Sequence, residues 1–165
     1  MSDRSIASHA LLGDTRTAAL VDGSGTIDWL CLPHFDGDPV FASVLAGEDG
    51  GHFRLGPADH VEPALRRYRP GTPVLETEWA VGGGRLRLTE GMVSEVVGRL
   101  LPTTCVVRRL EAFDAPVRAA VSFDPRFGLA RRRPVVRRTA AALVCDSGMV
   151  ALSLTGEVPP DGALV

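Results

Sequence analysis

Short apolar runs separated by turn-forming residues recur along the whole chain of 165 residues. Most of these runs are about five to nine residues long, which suits strands and is too short for the helices of a bundle. In 75–81 every second residue is apolar or threonine, while Glu76 and Glu78 fall on the opposite face. A period of two is the pattern of a β-strand with one buried face. The chain is therefore predicted to be all-β, in the form of an antiparallel β-sandwich.

One hairpin is predicted more strongly than the other turns. The runs 17–21 and 26–31 flank Asp22-Gly23-Ser24-Gly25, where two glycines can supply positive φ angles. A second turn, at Gly82-Gly83-Gly84, joins 74–81 to the alternating run 85–89. Further strands are predicted at 51–55, 65–69 (an edge strand or strand end before Pro70), 103–110, 117–123, 139–145 and 149–155.

A single short helix is predicted near 38–46. Asp38 can cap its N-terminus, Pro39 suits the first helical position, and Gly47 can end it. The apolar stripe of this helix consists of Val40, Phe41, Val44 and Leu45. Residues 1–165 together fit one domain, which can bury a core of its own at this size.

Composition excludes several classes of function. The chain is 45% hydrophobic and 23% charged, as soluble domains are, and its net charge of −2 gives no general attraction to nucleic acid. The polar N-terminus has neither a signal peptide nor an apolar span of about 18 residues, so no membrane partner and a cytoplasmic location are expected. Cys31, Cys105 and Cys145 lack a Cys-x-x-Cys partner, which predicts buried free thiols.

No cofactor or metal site is expected. His9, His34, His52 and His60 are scattered without the spacing of metal ligands. The dense basic run, 131–133 with Arg137 and Arg138, has no interleaved aromatic residues, so a salt-bridged surface loop or a domain interface is favoured over phosphate binding.

Several blocks of the chain, in order, resemble one known family. The clearest are HALLGDTRTAALV at 9–21 and GTIDWLCLPHFD at 25–36. Shorter matches lie at 39–41, 51–55, 67–72, 74–77, 107–111 and 124–127. Together they are similar to the trehalase-like N-terminal domain of glycoside hydrolase family 15, the glucoamylase, glucodextranase and trehalase group. Departures from the family pattern occur at His34, at Gly37, and in the stretches 89–92 and 127–130.

The resemblance implies a fold and a partner. It implies a supersandwich-like β-sandwich, either complete or incomplete within 1–165, that packs on an (α/α)6 catalytic barrel absent from 1–165. Two glutamates of that barrel would act as general acid and general base in an inverting hydrolysis. The expected partners are therefore this catalytic domain, in cis or in trans, and an α-glucan or trehalose.

The resemblance also implies that one loop faces the sugar pocket. The candidate residues of this sugar-pocket loop are Asp28, Trp29, Pro33, His34, Phe35 and Asp36. A structural interpretation stands beside it: Asp38 caps a helix, Trp29 alternates with Ile27 and Cys31 into the core, and Asp36 forms a turn. No catalytic residue is assigned, because Glu76 and Glu78 are equally well explained as solvated charges on a strand face.

Three functional hypotheses remain open on the sequence. The first is an accessory domain of a glucoamylase- or trehalase-like glycosidase that is not catalytic alone. The second is a free-standing module that binds carbohydrate or another protein. The third is a truncated remnant without function.

Overall fold

The computed structural model describes residues 5–96, 98–129 and 133–156, and these residues are almost entirely strands and turns. The strands are β1 Ala10–Gly13, β2 Ala18–Val21, β3 Thr26–Leu32, β4 Asp38–Phe41, β5 His52–Pro57, β6 Leu65–Tyr68, β7 Leu75–Val81, β8 Gly84–Val96, β9 Arg99–Phe113, β10 Ala119–Asp124, β11 Val135–Arg138, β12 Leu143–Asp146 and β13 Ala151–Leu154. One helix, α1, spans Ser43–Ala46, and short 3-10 turns span Ile6–Ser8 and Gly47–Gly50. Within these described ranges, no helix has the length and apolar character needed to span a membrane.

The strands form three antiparallel sheets, so the predicted all-β class is confirmed. The first sheet has the order β1-β2-β3-β5-β10, with β4 paired to β3. The second has the order β6-β7-β8-β9, and the third consists of β11, β12 and β13.

The main core lies between the first two sheets. Its buried residues include Leu12, Val21 and Ile27 from the first sheet and Leu75 and Met92 from the second. Because apolar side chains of two sheets bury each other, the two sheets form the layers of a sandwich. A second core cluster of Trp79, Leu86 and Leu88 extends this contact. Leu152 of the third sheet and Val150 in the turn before β13 pack against the main core.

The predicted hairpin at 22–25 is confirmed between β2 and β3. Gly25 has a φ of 78°, and a Cβ there would lie 2.3 Å from the carbonyl oxygen of Leu55. The carboxylate of Asp22 accepts hydrogen bonds from the backbone N–H groups of Ser24 and Thr26, which fixes the turn. Only glycine fits position 25 without strain.

The short helix is present, but the predicted start at Asp38 is wrong. Residues Asp38–Phe41 are strand β4, and the helix begins at Ser43. Leu30 pairs with Phe41 and Cys31 with Pro39, which leaves Val40 as an additional residue in β4. This irregularity buries the adjacent side chains of Val40 and Phe41 together, and the sequence alone gave them the appearance of a helical stripe.

Two other predictions need correction. Arg137 and Arg138 are exposed but lie in strand β11, so the surface-loop alternative is wrong for them, while the domain-interface alternative stays a prediction; residues 131 and 132 lie outside the described residues. The strand predicted over 139–145 begins only at Leu143, and β1 was not predicted. The edge position predicted for 65–69 is confirmed, since β6 is the first strand of its sheet.

Candidate functional surface: the loop between β3 and β4

The loop of residues 33–37 joins β3 to β4 and is mostly exposed. Pro33, His34, Phe35 and Asp36 all face solvent, and Phe35 is 63% exposed. Its backbone is nevertheless held in place: the N–H of Phe35 donates to the carbonyl of Arg16 (3.1 Å), and that of Gly37 donates to His34 (2.9 Å). A Cβ at Gly37 would lie 2.3 Å from the carbonyl oxygen of Leu32. The loop therefore presents a large apolar side chain on a fixed backbone.

The structure separates the six predicted loop residues into two groups. Asp28 is 1% exposed and its Oδ2 lies 2.7 Å from Nε2 of His9. Trp29 is half-buried, while Ile27 and Cys31 are buried, so the predicted alternation of these three into the core is only partly observed. Asp28 and Trp29 thus belong to the body of the first sheet, and only residues 33–36 form the exposed surface.

A bulge in β3 explains the burial of Asp28. Leu20 pairs with Trp29 and Val21 with Ile27, so Asp28 is an additional residue of β3 relative to β2. An additional residue of this kind shifts the alternation of a strand by one position. Ile27 and Leu30 can therefore both lie in the main core although they are three residues apart.

Asp14 stabilises the backbone segment that holds the loop of residues 33–37. Its side chain is fully buried and accepts hydrogen bonds from the backbone N–H groups of Arg16 (3.0 Å) and Thr17 (2.9 Å). Burial by itself would raise the pKa of this carboxyl, but these hydrogen bonds and the Arg16 guanidinium outweigh it and lower the pKa below 3.8. Asp14 therefore fixes the backbone of Arg16, whose carbonyl holds Phe35.

Replacing Asp14 by Asn is expected to lower the free energy of unfolding by about 1.5–3 kcal/mol at neutral pH, because hydrogen bonds to a charged acceptor are lost. Since the folded-state pKa is lowered, the stabilisation by Asp14 is present above 3.8 and is lost as the pH falls through the lower value. The wild type should consequently lose more stability than Asp14→Asn between about pH 5 and pH 2.5 in urea titrations. Asp36→Asn, a change to an exposed loop carboxylate, is the control. Parallel losses in the wild type and Asp14→Asn would contradict the assignment.

An apolar groove of about 360 Å³ opens beside the loop. Ile27, Leu30, Phe41, Phe53 and Phe123 contribute to its lining, together with residues 149–154, which comprise β13 and the end of the turn before it, and with Pro33 and Arg16 from the loop region. Sequence reasoning missed this groove, because it is formed by strands far apart in the chain.

A buried ion pair links the two large sheets. Glu90 and Arg108 lie opposite each other on β8 and β9, and their side chains are 0% and 2% exposed. Arg108 donates to Glu90 (2.8 Å) and to the carbonyl oxygens of Phe53 (2.8 Å) and Gly25 (2.6 Å) in the first sheet. Burial raises the pKa of Glu90 against the opposing effect of Arg108. The sequence does indicate the burial of Glu90. Leu86, Leu88, Glu90 and Met92 occupy every second position of β8, and this spacing places Glu90 on the buried face of the strand.

Glu76 and Glu78 are both bound by arginines. Glu76 accepts a hydrogen bond from Arg69 (2.8 Å), and Glu78 accepts one from Arg87 (2.7 Å). The hydrogen bond from Arg69 is the main reason why the pKa of Glu76 is lowered, although burial opposes it. A general acid in glycoside hydrolysis needs a raised pKa. Glu76 is therefore better explained as a structural residue of the sheet than as a catalytic acid. Glu76 is buried, however, and not solvated as predicted.

The described residues contain no group of three or more His, Cys, Asp or Glu side chains that could hold a metal ion. Cys31, Cys105 and Cys145 are free thiols, and Cys31 and Cys145 are buried as predicted, while Cys105 is half-buried.

Comparison with known proteins gives consistent matches. The family model described as "Trehalase-like, N-terminal" matches residues 2–154. The trehalase of Thermoplasma volcanium is 32% identical over 154 residues, which are 92% of this chain and 24% of that protein. The trehalase of Mycolicibacterium smegmatis is 41% identical over 88 residues, 53% of this chain and 13% of that protein. That of Thermoplasma acidophilum is 38% identical over 122 residues, 72% of this chain and 21% of that protein. The chain thus spans about a quarter or less of these relatives, and no solved structure matches it.

Proposed function

The chain belongs to the family of trehalase-like N-terminal domains, and from this premise we propose that it is the accessory domain of a trehalase- or glucoamylase-like glycoside hydrolase. The observation that carries the proposal is the match over 92% of this chain to 24% of a protein named trehalase. In this function the sandwich packs on the catalytic barrel, and hydrolysis is a property of the whole enzyme.

The loop of residues 33–36 is the proposed contact with the barrel and the edge of the sugar pocket. Phe35 offers exposed apolar surface, and His34 and Asp36 flank it with polar groups. Because Arg16 and His34 hold the loop backbone, little conformational entropy would be lost when a partner covers it.

The positions of the carboxylates among the described residues favour an accessory function over a catalytic function. An inverting glycosidase needs two carboxyl groups about 6.5–9.5 Å apart, with a sugar and a water between them. Asp14, Asp28 and Glu90 are buried inside the sandwich, and Glu76 is bound by Arg69. We therefore assign the acid and the base to the catalytic barrel and not to this domain.

A chimaera tests the proposal. Residues 1–154 of this chain would replace the matching region of the Thermoplasma volcanium trehalase, and trehalose turnover would be compared with that enzyme and with a version lacking the region. We expect the chimaera to recover soluble expression and turnover that the shortened enzyme loses. Equal turnover by the shortened enzyme and the chimaera would contradict an accessory function.

Within that chimaera, Phe35→Ala is expected to lower kcat/KM for trehalose about tenfold, as the loss of about 1.4 kcal/mol of contact energy would do. Val136→Ala is the matched control, because Val136 is also exposed (54%) but lies on β11 in the third sheet. Equal kcat/KM values for Phe35→Ala and Val136→Ala would mean that the loop of residues 33–36 does not contact the barrel.

A cytoplasmic location is part of the same proposal. It is supported by the three free thiols, since reducing compartments keep cysteines in this form. Immunoblots of fractionated cells would locate the protein.

A further inference from the structure

The apolar groove beside the loop runs along one edge of strand β13. All four residues of this strand, Ala151–Leu154, line the groove, although side chains in a strand alternate between two faces. A groove that touches every residue of a strand, and not every second one, includes the edge of its backbone. Among the described residues, β13 pairs with β12 alone. The edge in the groove therefore offers backbone N–H and C=O groups to a further strand.

This edge lacks the features that protect three other sheet edges. Strands β6 and β11 are edges of the second and third sheets, and each contains two arginines. On β1, an edge of the first sheet, the Tyr68 hydroxyl accepts from the N–H of Leu11 (2.9 Å) and donates to its carbonyl oxygen (2.8 Å). Charges and prolines hinder the addition of a strand to an edge. Strand β13 consists of alanine, leucine and serine, so it has neither.

The floor of the groove is apolar and belongs to the main core. Ile27, Leu30 and Phe41 are buried there, while Phe53 and Phe123 are half-buried. The last two rings pack edge to face with their centroids 5.2 Å apart. An apolar side chain that covered these rings would remove aromatic surface from water, which favours binding.

The two faces of β13 determine which segment fits this edge. Leu152 and Leu154 are half-buried, and Leu152 packs against the main core, whereas Ala151 and Ser153 are exposed. Directly paired residues of neighbouring strands direct their side chains to the same face of a sheet. An added strand would therefore place every second side chain towards the core and the others in solvent. The segment that fits has apolar residues at alternate positions.

The charges of the groove favour a peptide strand over an anionic ligand. Of the described residues that line it, Arg16 alone is charged, and its guanidinium already donates to Asp14 at 3.3 Å. Recognition in such a groove depends on backbone hydrogen bonds and on apolar side chains at alternate positions, as in other cases of strand addition.

We propose that this groove receives an extended segment of the catalytic part of the enzyme, which adds to the edge of β13 as a further strand. The matched regions make up 24% and 21% of the two Thermoplasma trehalases, so most of each relative lies outside them and is long enough to supply the strand. The source of the strand rests on the proposed function, whereas the strand site is a property of this chain.

A peptide titration of the wild-type chain tests the strand site. The probe is the peptide Lys-Thr-Val-Thr-Val-Thr-Val-Lys, and Lys-Thr-Thr-Thr-Val-Val-Val-Lys is a control of the same composition without alternation. In ¹⁵N NMR spectra, the probe should shift the backbone amides of 151–154 and leave those of 135–138 on β11 unchanged. The control should bind about tenfold more weakly, because it cannot direct its valines to one face. Unchanged amides at 151–154 would overturn the proposal.

Ser153→Lys separates strand addition from general apolar binding. Ser153 is exposed, so the variant should fold, and a lysine on the edge hinders strand addition. We expect it to bind the probe about tenfold more weakly than the wild type. Val136→Lys, on the opposite edge of the same sheet, should bind it as the wild type does. Equal binding by Ser153→Lys and the wild type would overturn the strand site. A wild-type dimer in light scattering that Ser153→Lys dissociates would also overturn the proposal, because a second copy would then occupy the edge.

Hydrogen exchange in the chimaera tests the source of the strand. The amides of 151–154 should exchange about tenfold more slowly in the chimaera than in the isolated chain, while those of 135–138 exchange equally in both. Equal exchange at 151–154 would overturn the catalytic part as the source. If trehalose turnover were recovered without this protection, the strand would be rejected and the accessory function retained. Protection without recovered turnover would support the strand and reject the accessory function.

Discussion

Arg108→Met is expected to destabilise the domain by about 3–5 kcal/mol, because it leaves the carboxylate of Glu90 buried without its partner. The same substitution removes the hydrogen bonds to the carbonyl oxygens of Phe53 and Gly25. It also removes the contact between the guanidinium and the Phe53 ring, whose centroid lies 4.7 Å away. Urea unfolding followed by circular dichroism measures the loss.

The double variant Arg108→Met with Glu90→Leu is the control for the charge effect. Removing both charges also removes the unpaired carboxylate, so the double variant should recover most of the lost stability. Recovery would assign the effect to the isolated charge and not to the shape of the side chain. If the unfolding free energy of Arg108→Met alone were within about 1 kcal/mol of the wild-type value, the ion pair would not be important for stability.

Trp79→Ala should destabilise the domain by about 3–5 kcal/mol, the usual range for a large buried aromatic residue. The side chain is fully buried in the second core cluster with Leu86 and Leu88. Its Nε1–H donates to the carbonyl of Gly23 at 3.0 Å, which ties β7 to the hairpin of the first sheet. The absence of a side chain at Gly25 leaves room for the ring, because a Cβ there would lie 3.3 Å from the indole.

Trp79→Phe separates packing from the hydrogen bond. It keeps most of the apolar volume and loses the N–H, so its unfolding free energy should fall by a smaller amount, about 1–2 kcal/mol. Thermal and urea unfolding of both variants give the comparison. Equal losses would mean that the hydrogen bond to Gly23, and not the packed ring, joins the hairpin to β7.

Strand periodicity was sufficient to predict the all-β class and most of the strands. It worked where the alternation is regular, as in β8, with Leu86 and Leu88 buried and Arg85 exposed. It failed at Asp38, because an additional residue in β4 made two consecutive buried side chains look like part of a helix. A bulge depends on pairing with another strand, and a single run of sequence carries no record of that pairing.

The extent of the loop at the candidate surface was predicted only in part, because here too a bulge depends on strand pairing. The resemblance implied one loop with residues from Asp28 to Asp36, and Pro33 to Asp36 are its exposed part. Asp28 could not be separated from that loop, since its inward direction results from the bulge in β3. Its partner His9 is 19 residues away in the chain and reaches it only through the folded sheet.

The most direct test of an accessory function is an assay of the purified chain with trehalose, maltose and isomaltose. A domain whose buried carboxylates are held by His9, Arg16 and Arg108 should release no glucose above the blank from any of the three sugars. Glucose release by the pure chain that disappears in Glu76→Gln or Asp36→Asn would contradict this expectation and place a catalytic site in the domain itself.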